Sequence, residues 1–412
     1  MQKRKTVRSR KITDEFSAVS ICPAGKIYTL PAEKDSTREF ERLRKIVSKE
    51  RRKGREIVVV MGLGFVGAVM AGVIADSTDR KTGKPGKFVI GMQRPSTRSF
   101  WKIGYLNNGI PPVEAEDPAV ATLIERCVRR KKTLMATYIY DALALADAVV
   151  VDVQCDYNKE TLGDCRQGSA DIAALEDSLR VIGEKIRPDC LVLIETTVPP
   201  GTTEYVAYPI VKKAFEKRGL VEEPLLAHSF ERVMPGREYV SSIRDFWRVC
   251  SGINDEARRR VVKFLSEVLN VEKYPLTVLD RPIESETCKI VENSYRATIL
   301  AFMDEWSRFA EKHGVDISKV IQAIKVRPTH SNLMFPGPGI GGYCLPKDGA
   351  LGQWGVRHLL HDEESAFPIT TAAINVNDAR GVHAAELVCD ALAAMGRPVA
   401  GSPVLICGAS YR

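Results

Sequence analysis

One cysteine of this sequence lies in a glycine-rich loop beside two residues that could assist its chemistry. The run P-G-P-G-I-G-G-Y-C-L-P-K-D from Pro336 to Asp348 contains Cys344, and Lys347 and Asp348 follow it by three and four residues. Glycines let the backbone adopt positive φ angles and approach a ligand closely. A thiolate is a good nucleophile toward carbonyl carbon, and we expect the cation of Lys347 to lower the pKa of the thiol. The alternative is a surface loop with a buried, inert cysteine.

A second motif has the spacing of a dinucleotide-binding turn. Residues Val58 to Val60 form a predicted buried strand, and Gly62, Gly64 and Gly67 then match G-x-G-x-x-G before an apolar helix. The first glycine permits a tight turn, the second a close approach of a diphosphate, and the third close packing of helix on strand. The N–H groups that begin the helix would bind the diphosphate, so the motif predicts a dinucleotide site.

The residues after the second predicted strand leave both NAD and NADP open. This strand, Phe88 to Met92, is followed by Gln93 and Arg94, at the point where NAD-binding sheets usually carry an acid that holds the ribose hydroxyls. Arg94, together with Arg98, could receive a 2′-phosphate, which would favour NADP. Gln93 could instead bond to the hydroxyls without a charge. We expect NAD, with NADP as the alternative.

Length, charge and cysteine content narrow the class of protein. A chain of 412 residues can hold two or three domains. No apolar run approaches the roughly 20 residues that cross a bilayer, and the basic N-terminus lacks the apolar core of a signal peptide. Ten cysteines without C-x-x-C spacing argue against a disulfide framework or a zinc site. We therefore expect a cytoplasmic protein without a bound metal.

The positive charge is concentrated in residues 1–55, which contain 17 Lys and Arg against 7 Asp and Glu, whereas the whole chain has a net charge of +8. Ser36 and Glu39 have the spacing of a capping box, which predicts an amphipathic helix over 36–53. Its apolar face comprises Phe40, Leu43, Ile46 and Val47. We expect this helix to dock on the main domain. The alternative is attraction to an acidic partner such as a membrane surface or a nucleic acid, but no nucleic-acid readout motif is present.

Strands and helices alternate beyond the first glycine motif. The pattern predicts a strand over Ala148–Val153, a helix over Ile172–Lys185 and a strand over Cys190–Glu195, which together indicate a parallel, doubly wound sheet. The last of these runs into E-T-T-V-P-P-G-T-T, so Thr196 and Thr197 would lie at the carboxyl end of a strand, where such sheets bind ligands. The alternative is a turn with incidental threonines.

A carboxylate and a cation, Glu231 and Arg232, lie in the run H-S-F-E-R-V-M-P-G. A carboxylate in a crevice with little water can act as a general base toward water. The alternative is a surface ion pair.

Residues 282–313 predict one long helix that ends at Gly314. Lys289, Asn293 and Arg296 are spaced i, i+4, i+7 and therefore share one face. Much of the remaining surface is apolar, which is typical of a helix at a domain centre or a dimer interface.

These motifs, in this order, resemble the UDP-glucose/GDP-mannose dehydrogenase family from about residue 56 to the C-terminus. Members of that family oxidise the C6 hydroxyl of a nucleotide-sugar to a carboxylate and use two NAD per turnover. The form E-R-x-x-P-G, which has Pro235 at its fifth position, resembles the 2-acetamido-sugar branch. The run D-V-Q-C-D from Asp152 to Asp156 departs from the family's V-P-T-P. The resemblance implies a Rossmann-like doubly wound parallel sheet, followed by an all-helical domain that pairs two subunits.

The resemblance also implies catalytic roles for residues of three of these motifs. Cys344 would bond to the aldehyde carbon as a thiohemiacetal and, after a second hydride transfer, hold the sugar as a thioester. Glu231 would then direct a water to the thioester, with Thr197 helping to place that water.

Two residues of the long helix would act with the aspartate of the cysteine loop. Lys289 and Asn293 would stabilise the developing alkoxide, and Asp348 would order a water together with Lys289.

The implied binding residues form two overlapping sets. Those for the cofactor are Gly62, Gly64, Phe65, Val66, Gly67, Gln93, Arg94, Val153, Thr197 and Lys347. Those for the nucleotide-sugar are Glu231, Arg232, Lys289, Asn293, His330, Asn332, Gly341 and Arg412.

The expected organisation has four parts. They are a basic extension over 1–55, an NAD(P)-binding domain over 56–279, a helical domain over 280–396, and the beginning of a truncated nucleotide-sugar-binding domain over 397–412. Val404–Cys407 would be a strand without a sheet to join. Two alternatives remain: a catalytically inactive family member that acts as a dimer partner, and a β-hydroxyacid-type dehydrogenase, which needs no nucleophilic cysteine.

Overall fold

The computed structural model of the chain describes residues 18–161, 164–233, 236–365 and 367–408. Twelve strands occur in these residues: β1 Val19–Ile21, β2 Ile27–Thr29, β3 Glu56–Met61, β4 Lys87–Met92, β5 Leu134–Thr137, β6 Ala148–Val151, β7 Asp156–Thr161, β8 Asp164–Asp171, β9 Leu191–Ile194, β10 Leu225–His228, β11 Val249–Gly252 and β12 Thr277–Val278. The strands predicted near Phe88, Ala148 and Cys190 are thus confirmed as β4, β6 and β9.

Thirteen α-helices occur in the same residues: α1 Glu33–Arg52, α2 Phe65–Asp76, α3 Trp101–Asn107, α4 Pro118–Glu125, α5 Ala173–Lys185, α6 Tyr208–Lys217, α7 Tyr239–Arg244, α8 Asp255–Val268, α9 Pro282–His313, α10 Ile317–Lys325, α11 Asp348–His358, α12 Pro368–Asp378 and α13 Arg380–Ala394. None of the helices in the described ranges is both long and apolar enough to cross a membrane.

Eight strands form one sheet in the order β12-β11-β10-β9-β6-β3-β4-β5. All neighbouring pairs are parallel except β10 and β11. The strands are rich in Val, Ile and Leu because both faces of the sheet are covered, and each face contributes to its own apolar cluster. The chain runs from β3 outward through β4 and β5, then returns to β6 on the other side of β3. A ligand crevice is expected at this reversal, between the carboxyl ends of β3 and β6.

Helix α1 docks on one face of the sheet, as its apolar face predicts. Leu43 and Val47 are buried in the cluster on that face. The predicted capping box is wrong: the helix begins at Glu33, and the N–H of Ala32 donates to Asp35 Oδ2 at 3.0 Å. Since Asp35 already serves the first turn, Glu39 is free to accept a hydrogen bond from Thr137 Oγ1 at 2.9 Å, which ties the helix to β5.

A two-stranded ribbon formed by β7 and β8 joins the sheet to the C-terminal helices. Lys159 Nζ forms an ion pair with Asp378 Oδ2 at 2.6 Å, and the Cys165 N–H donates to Asn375 Oδ1 at 3.0 Å. Sequence analysis did not predict this ribbon, because its polar strands carry little of the alternation that marks a half-buried strand.

Helix α9 has the bounds that the sequence predicts. Pro282 occupies its first turn, where the missing N–H costs nothing, and Gly314 ends it with a φ of 66°. Helices α11 and α12 pack along it, and a Cβ at Gly352 would lie only 2.5 Å from Ile290 Cγ2. The predicted strand at Val404–Cys407 is wrong, since these residues are exposed and form neither strand nor helix.

Candidate active site

The cysteine loop is held between α9, α11 and α13. Arg380 on α13 donates from Nε to the Gly337 carbonyl at 2.8 Å and also forms an ion pair with Asp304 of α9. Gly339 and Gly342 have φ angles of 148° and 91°, which other residues rarely adopt. The loop ends where the Cys344 carbonyl accepts the N–H groups that begin α11, so the thiol lies directly before a helix N-terminus.

Two side-chain pairs converge at this position. Lys289 Nζ donates to the Glu231 carbonyl at 2.8 Å and lies 3.6 Å from Glu231 Oε1. Asn293 Nδ2 donates to Asp348 Oδ2 at 2.6 Å, and Lys347 Nζ donates to Asp348 Oδ1 at 3.1 Å. Asp348 is fully buried, so these two donors replace its water.

The thiol lies within the electrostatic field of both pairs. Burial raises the pKa of Cys344, and the charge of Asp348 raises it further, whereas Lys289 and Lys347 act in the opposite direction. The expectation that Lys347 would give a lowered thiol pKa is therefore wrong in net direction, because burial outweighs the cations. Burial also lowers the pKa of Lys347 itself, but the Asp348 carboxylate more than offsets this and raises it.

The glycine turn after β3 has the geometry that its sequence predicts. Gly62 has a φ of 104°, and a Cβ there would lie 2.4 Å from the Asp152 carbonyl oxygen. A Cβ at Gly67 would lie 2.0 Å from the Gly62 carbonyl oxygen. At Gly64, in contrast, no described atom comes within 4 Å of the Cβ position. Two glycines are thus required by packing, and the third leaves space beside the first turn of α2, where Phe65 and Val66 begin the helix.

Gln93 supports this turn. Its Oε1 accepts the Leu63 N–H at 3.0 Å, and its Nε2 donates to Ser99 Oγ at 3.1 Å. Sequence analysis assigned Gln93 to the ribose hydroxyls, but both ends of its amide already have protein partners. Lys102, which sequence analysis missed, donates to the Leu63 carbonyl at 3.0 Å, and Arg94 is exposed.

The E-T-T-V-P-P-G-T-T run lies across the crevice. Thr196 Oγ1 donates to the Val153 carbonyl at 2.7 Å, which joins the ends of β6 and β9, and Thr197 is half-buried beside it.

The fully buried Glu286 of α9 was not predicted as a site residue. It accepts the Gly201 N–H at 2.6 Å and both Thr203 donors. Burial raises the pKa of Glu286 to about 7 against these hydrogen bonds. The only sequence signal for Glu286 is its position three residues before Lys289, in the run E-x-x-K.

The predicted substrate residues are only partly brought together. Arg232 lies between the rings of Phe230 and Phe246, and its Nη1 donates to the Trp247 carbonyl at 2.7 Å. Of the remaining ones, His330 bonds to Thr329, Asn332 bonds to Tyr295 of α9, Gly341 is exposed, and Arg412 lies outside the described residues.

Comparison with known proteins gives the same grouping of motifs. Residues 56–269 match the NAD binding domain of the UDP-glucose/GDP-mannose dehydrogenase family, and residues 283–379 match its central domain. The chain belongs to this family. The match confirms the resemblance and the choice of NAD as cofactor, and it makes the protein an oxidoreductase of a family of NAD-dependent nucleotide-sugar dehydrogenases.

Individual relatives act on more than one sugar. A UDP-N-acetyl-D-mannosamine dehydrogenase of Pyrococcus horikoshii is 26% identical over 357 residues, which are 86% of this chain and 76% of that protein. A UDP-glucose 6-dehydrogenase of Rickettsia conorii is 25% identical and covers 60% of this chain and 56% of that protein. The crystal structure of an NDP-N-acetyl-D-galactosaminuronic acid dehydrogenase from Methanosarcina mazei has a TM-score of 0.67 at 30% identity, with 86% of this chain and 72% of that chain covered.

Two glycine substitutions should separate packing from cofactor contact. We expect Gly67→Ala to lower the free energy of unfolding by about 2 kcal/mol, because its Cβ would meet the Gly62 backbone. Gly64→Ala should leave stability unchanged but weaken NAD binding at least about tenfold, since its Cβ would occupy the open side of the turn. Denaturant unfolding and calorimetric NAD titration measure the two effects. Equal loss of stability in both variants would contradict the assignment.

Proposed function

We propose that this protein oxidises the C6 hydroxyl of a UDP-2-acetamido-hexose to the uronic acid in two hydride transfers. The observation that carries the proposal is the convergence of Cys344 with the Lys289–Glu231 and Asn293–Asp348 pairs in one largely buried site. A nucleophile, two acids and a cation within one site form a coherent set for oxidising an alcohol through a covalent intermediate. The acetamido sugar is favoured by the names of two of the relatives and by the E-R-x-x-P-G motif.

The first oxidation needs a site for the hydroxyl proton and for the developing alkoxide. NAD, when bound, accepts a hydride in each oxidation. Lys289 and Asn293 share one face of α9 and present N–H donors that would stabilise the oxygen as its proton leaves. Asp348 is already bonded to Asn293 and would order the water that takes up this proton.

The covalent step then requires a proton to leave the thiol. Because burial keeps the Cys344 thiol protonated, its proton must move as sulfur bonds to the aldehyde carbon. Asp348 and Glu231 are the carboxylates whose charges act on this thiol, so either can lie on the path of the proton. As the bond forms, the aldehyde oxygen takes up a proton and becomes the hydroxyl of a thiohemiacetal. This intermediate then gives a hydride to a second NAD and its hydroxyl proton to water, and it becomes a thioester, so the reactive aldehyde does not leave the site.

Hydrolysis of the thioester is the step assigned to Glu231. Glu231 is 8% exposed as a residue, and Lys289 Nζ lies 3.6 Å from its Oε1. In this position Glu231 would take a proton from a water that attacks the thioester, and Thr197 would help to place that water. The acid product and the regenerated Cys344 thiol complete the cycle.

We further propose a homodimer that pairs through α9. Tyr295, Phe302, Trp306 and Phe309 form an aromatic stripe on this helix, and each is between 46% and 56% exposed. A contiguous exposed apolar patch of this kind marks a protein interface, and a second copy offers a matching stripe.

All ten cysteines are unpaired, which supports placing the protein in the reducing cytoplasm.

The proposal is tested by counting reduced NAD per sugar consumed across a panel of UDP- and GDP-sugars. We expect two NADH per UDP-2-acetamido-hexose, with loss of at least about 10³-fold in kcat for Cys344→Ser. Cys389→Ser, on α13, is the matched control and should behave as the wild type. Preference for UDP-glucose or GDP-mannose would refute the sugar assignment. Unchanged stoichiometry in Cys344→Ser would refute the covalent mechanism.

Glu231→Gln should stop the cycle at the thioester. We expect both hydride transfers to occur once per site, followed by hydrolysis slowed by about 10²- to 10⁴-fold, because glutamine cannot accept the proton of water. Intact-protein mass spectrometry should then show the uronyl group bound to Cys344. Continued turnover at the wild-type rate, with no covalent adduct, would remove Glu231 from this role.

Trp306→Glu should convert the dimer to a monomer, since it places a charge in the middle of the aromatic stripe. Light scattering gives the mass, and circular dichroism checks that helix content is retained. Lys217→Glu, an exposed change on α6, is the control for altered net charge. A monomeric wild type, or an unchanged mass for Trp306→Glu, would exclude this interface.

A further inference from the structure

A buried acidic pair lies beneath the glycine turn and plays no part in the chemistry described above. Asp152 follows β6 and Glu195 follows β9, at the two sides of the crevice. Arg248, also buried, donates to Glu195 Oε1 at 2.6 Å. The strands that they follow, β6 and β9, are neighbours in the sheet, and the two carboxyl groups are close enough for the charge of Glu195 to raise the pKa of Asp152.

The pair has one charged partner for two acids. Among the described residues, Asp152 Oδ2 and Glu195 Oε2 are buried without a hydrogen-bond partner. Two ionised carboxylates beside one guanidinium would leave an uncompensated buried charge, which is unfavourable. One proton held between the two orphaned oxygens removes this charge and supplies the missing hydrogen bond. The pair therefore titrates as a unit.

Neighbouring groups favour retention of this proton. Burial raises the pKa of Asp152 well above its ordinary value, and the charges of Glu195 and Glu231 raise it further, against Arg248. Burial likewise raises the pKa of Glu195 despite Arg248. Lys289 compensates Glu231, with which it is paired. Burial lowers the pKa of His228 to about 3, so this nearby imidazole stays neutral and adds no positive charge.

The Asp152 side chain lies against the first turn of α2. A Cβ built at Gly67 would be 2.9 Å from Asp152 Cβ and 3.1 Å from Oδ2. The first turn of a helix has unpaired N–H groups and a partial positive charge, which attract an anion. An ionised Asp152 at this distance would neutralise part of the positive potential at the helix N-terminus. A neutral Asp152 leaves it for the diphosphate of the cofactor.

We propose that the Asp152–Glu195 pair controls NAD affinity through one shared proton: the protonated pair permits tight binding, and its loss weakens binding. Asp152 acts here as a positioning residue, through the helix terminus. The proposal rests on NAD binding by this family and is independent of the sugar and of the chemistry of Cys344.

The experiment compares the dissociation constant for NAD, measured by calorimetry between about pH 6 and pH 9.5, in three full-length proteins. The wild-type constant should rise with pH, with a limiting slope of about tenfold per unit where one proton is taken up on binding. Asp152→Asn keeps a neutral side chain of the same shape and should bind tightly at every pH. Asp156→Asn removes a carboxylate of the same segment that is not part of the buried pair, and it should follow the wild type.

A second readout separates this role from a merely structural one. Titrations in buffers of different ionisation enthalpy give the number of protons taken up on NAD binding. We expect uptake in the wild type and in Asp156→Asn at the alkaline end of the series, and none in Asp152→Asn. Identical pH courses for wild type and Asp152→Asn, weaker binding by Asp152→Asn at all pH values, or no NAD binding by any of the proteins would each overturn the proposal.

Discussion

The hydrogen bond from Lys289 Nζ to the Glu231 carbonyl joins the two halves of the site. It connects the N-terminal part of α9 to the segment just beyond β10, which is 58 residues earlier in the chain. A buried amino group needs a hydrogen-bond partner, and the Glu231 carbonyl provides one for Lys289. The same contact holds the backbone that carries Glu231 in position. The Asn293–Asp348 bond, one helical turn further along α9, depends on the same placement of the helix against the sheet.

Burial decides the protonation states in this region more than any single charge pair does. It raises the pKa of the Cys344 thiol although two lysines oppose the change, and it lowers the pKa of His228 to about 3. The thiol proton therefore remains on Cys344, and we expect the proposed reaction at sulfur to couple the movement of this proton to bond formation. The same low-dielectric surroundings would strengthen the proposed interaction of Lys289 with a developing alkoxide, which would be the compensating advantage of a dry site.

Local signals allowed the sequence to predict those parts of the fold that they determine. Pro282 and Gly314 mark the ends of α9, and the spacing of Gly62 and Gly67 marks the turn between β3 and α2, although the contact that requires Gly62 is with Asp152 beyond β6. The ribbon of β7 and β8 was not predicted because its polar strands carry little of the alternation that marks a half-buried strand. The Asp152–Glu195 pair could not be predicted, because its two residues follow different strands and meet only in the folded sheet. Gln93 is a third case. The sequence places it after β4, at the position expected to contact the ribose, but its amide oxygen accepts the Leu63 N–H, a contact that the sequence does not indicate.

The buried carboxylate of Glu286 links helix α9 to the turn that follows Thr197. Its carboxylate accepts the Gly201 N–H and two donors of Thr203, and this holds the turn that follows Thr197 against the helix. Ionisation of a fully buried carboxyl costs free energy, which the three donors partly return, and the pKa of about 7 reflects that balance. Lys289 is on the same helix three residues later, so a displacement of the turn would change the distance between Thr197, which is proposed to place water, and Lys289, which is proposed to stabilise the alkoxide. Helix α9 therefore sets the position of Lys289 directly and that of Thr197 through Glu286. This shared support explains why the buried acid Glu286 is tolerated although it is not one of the reacting groups.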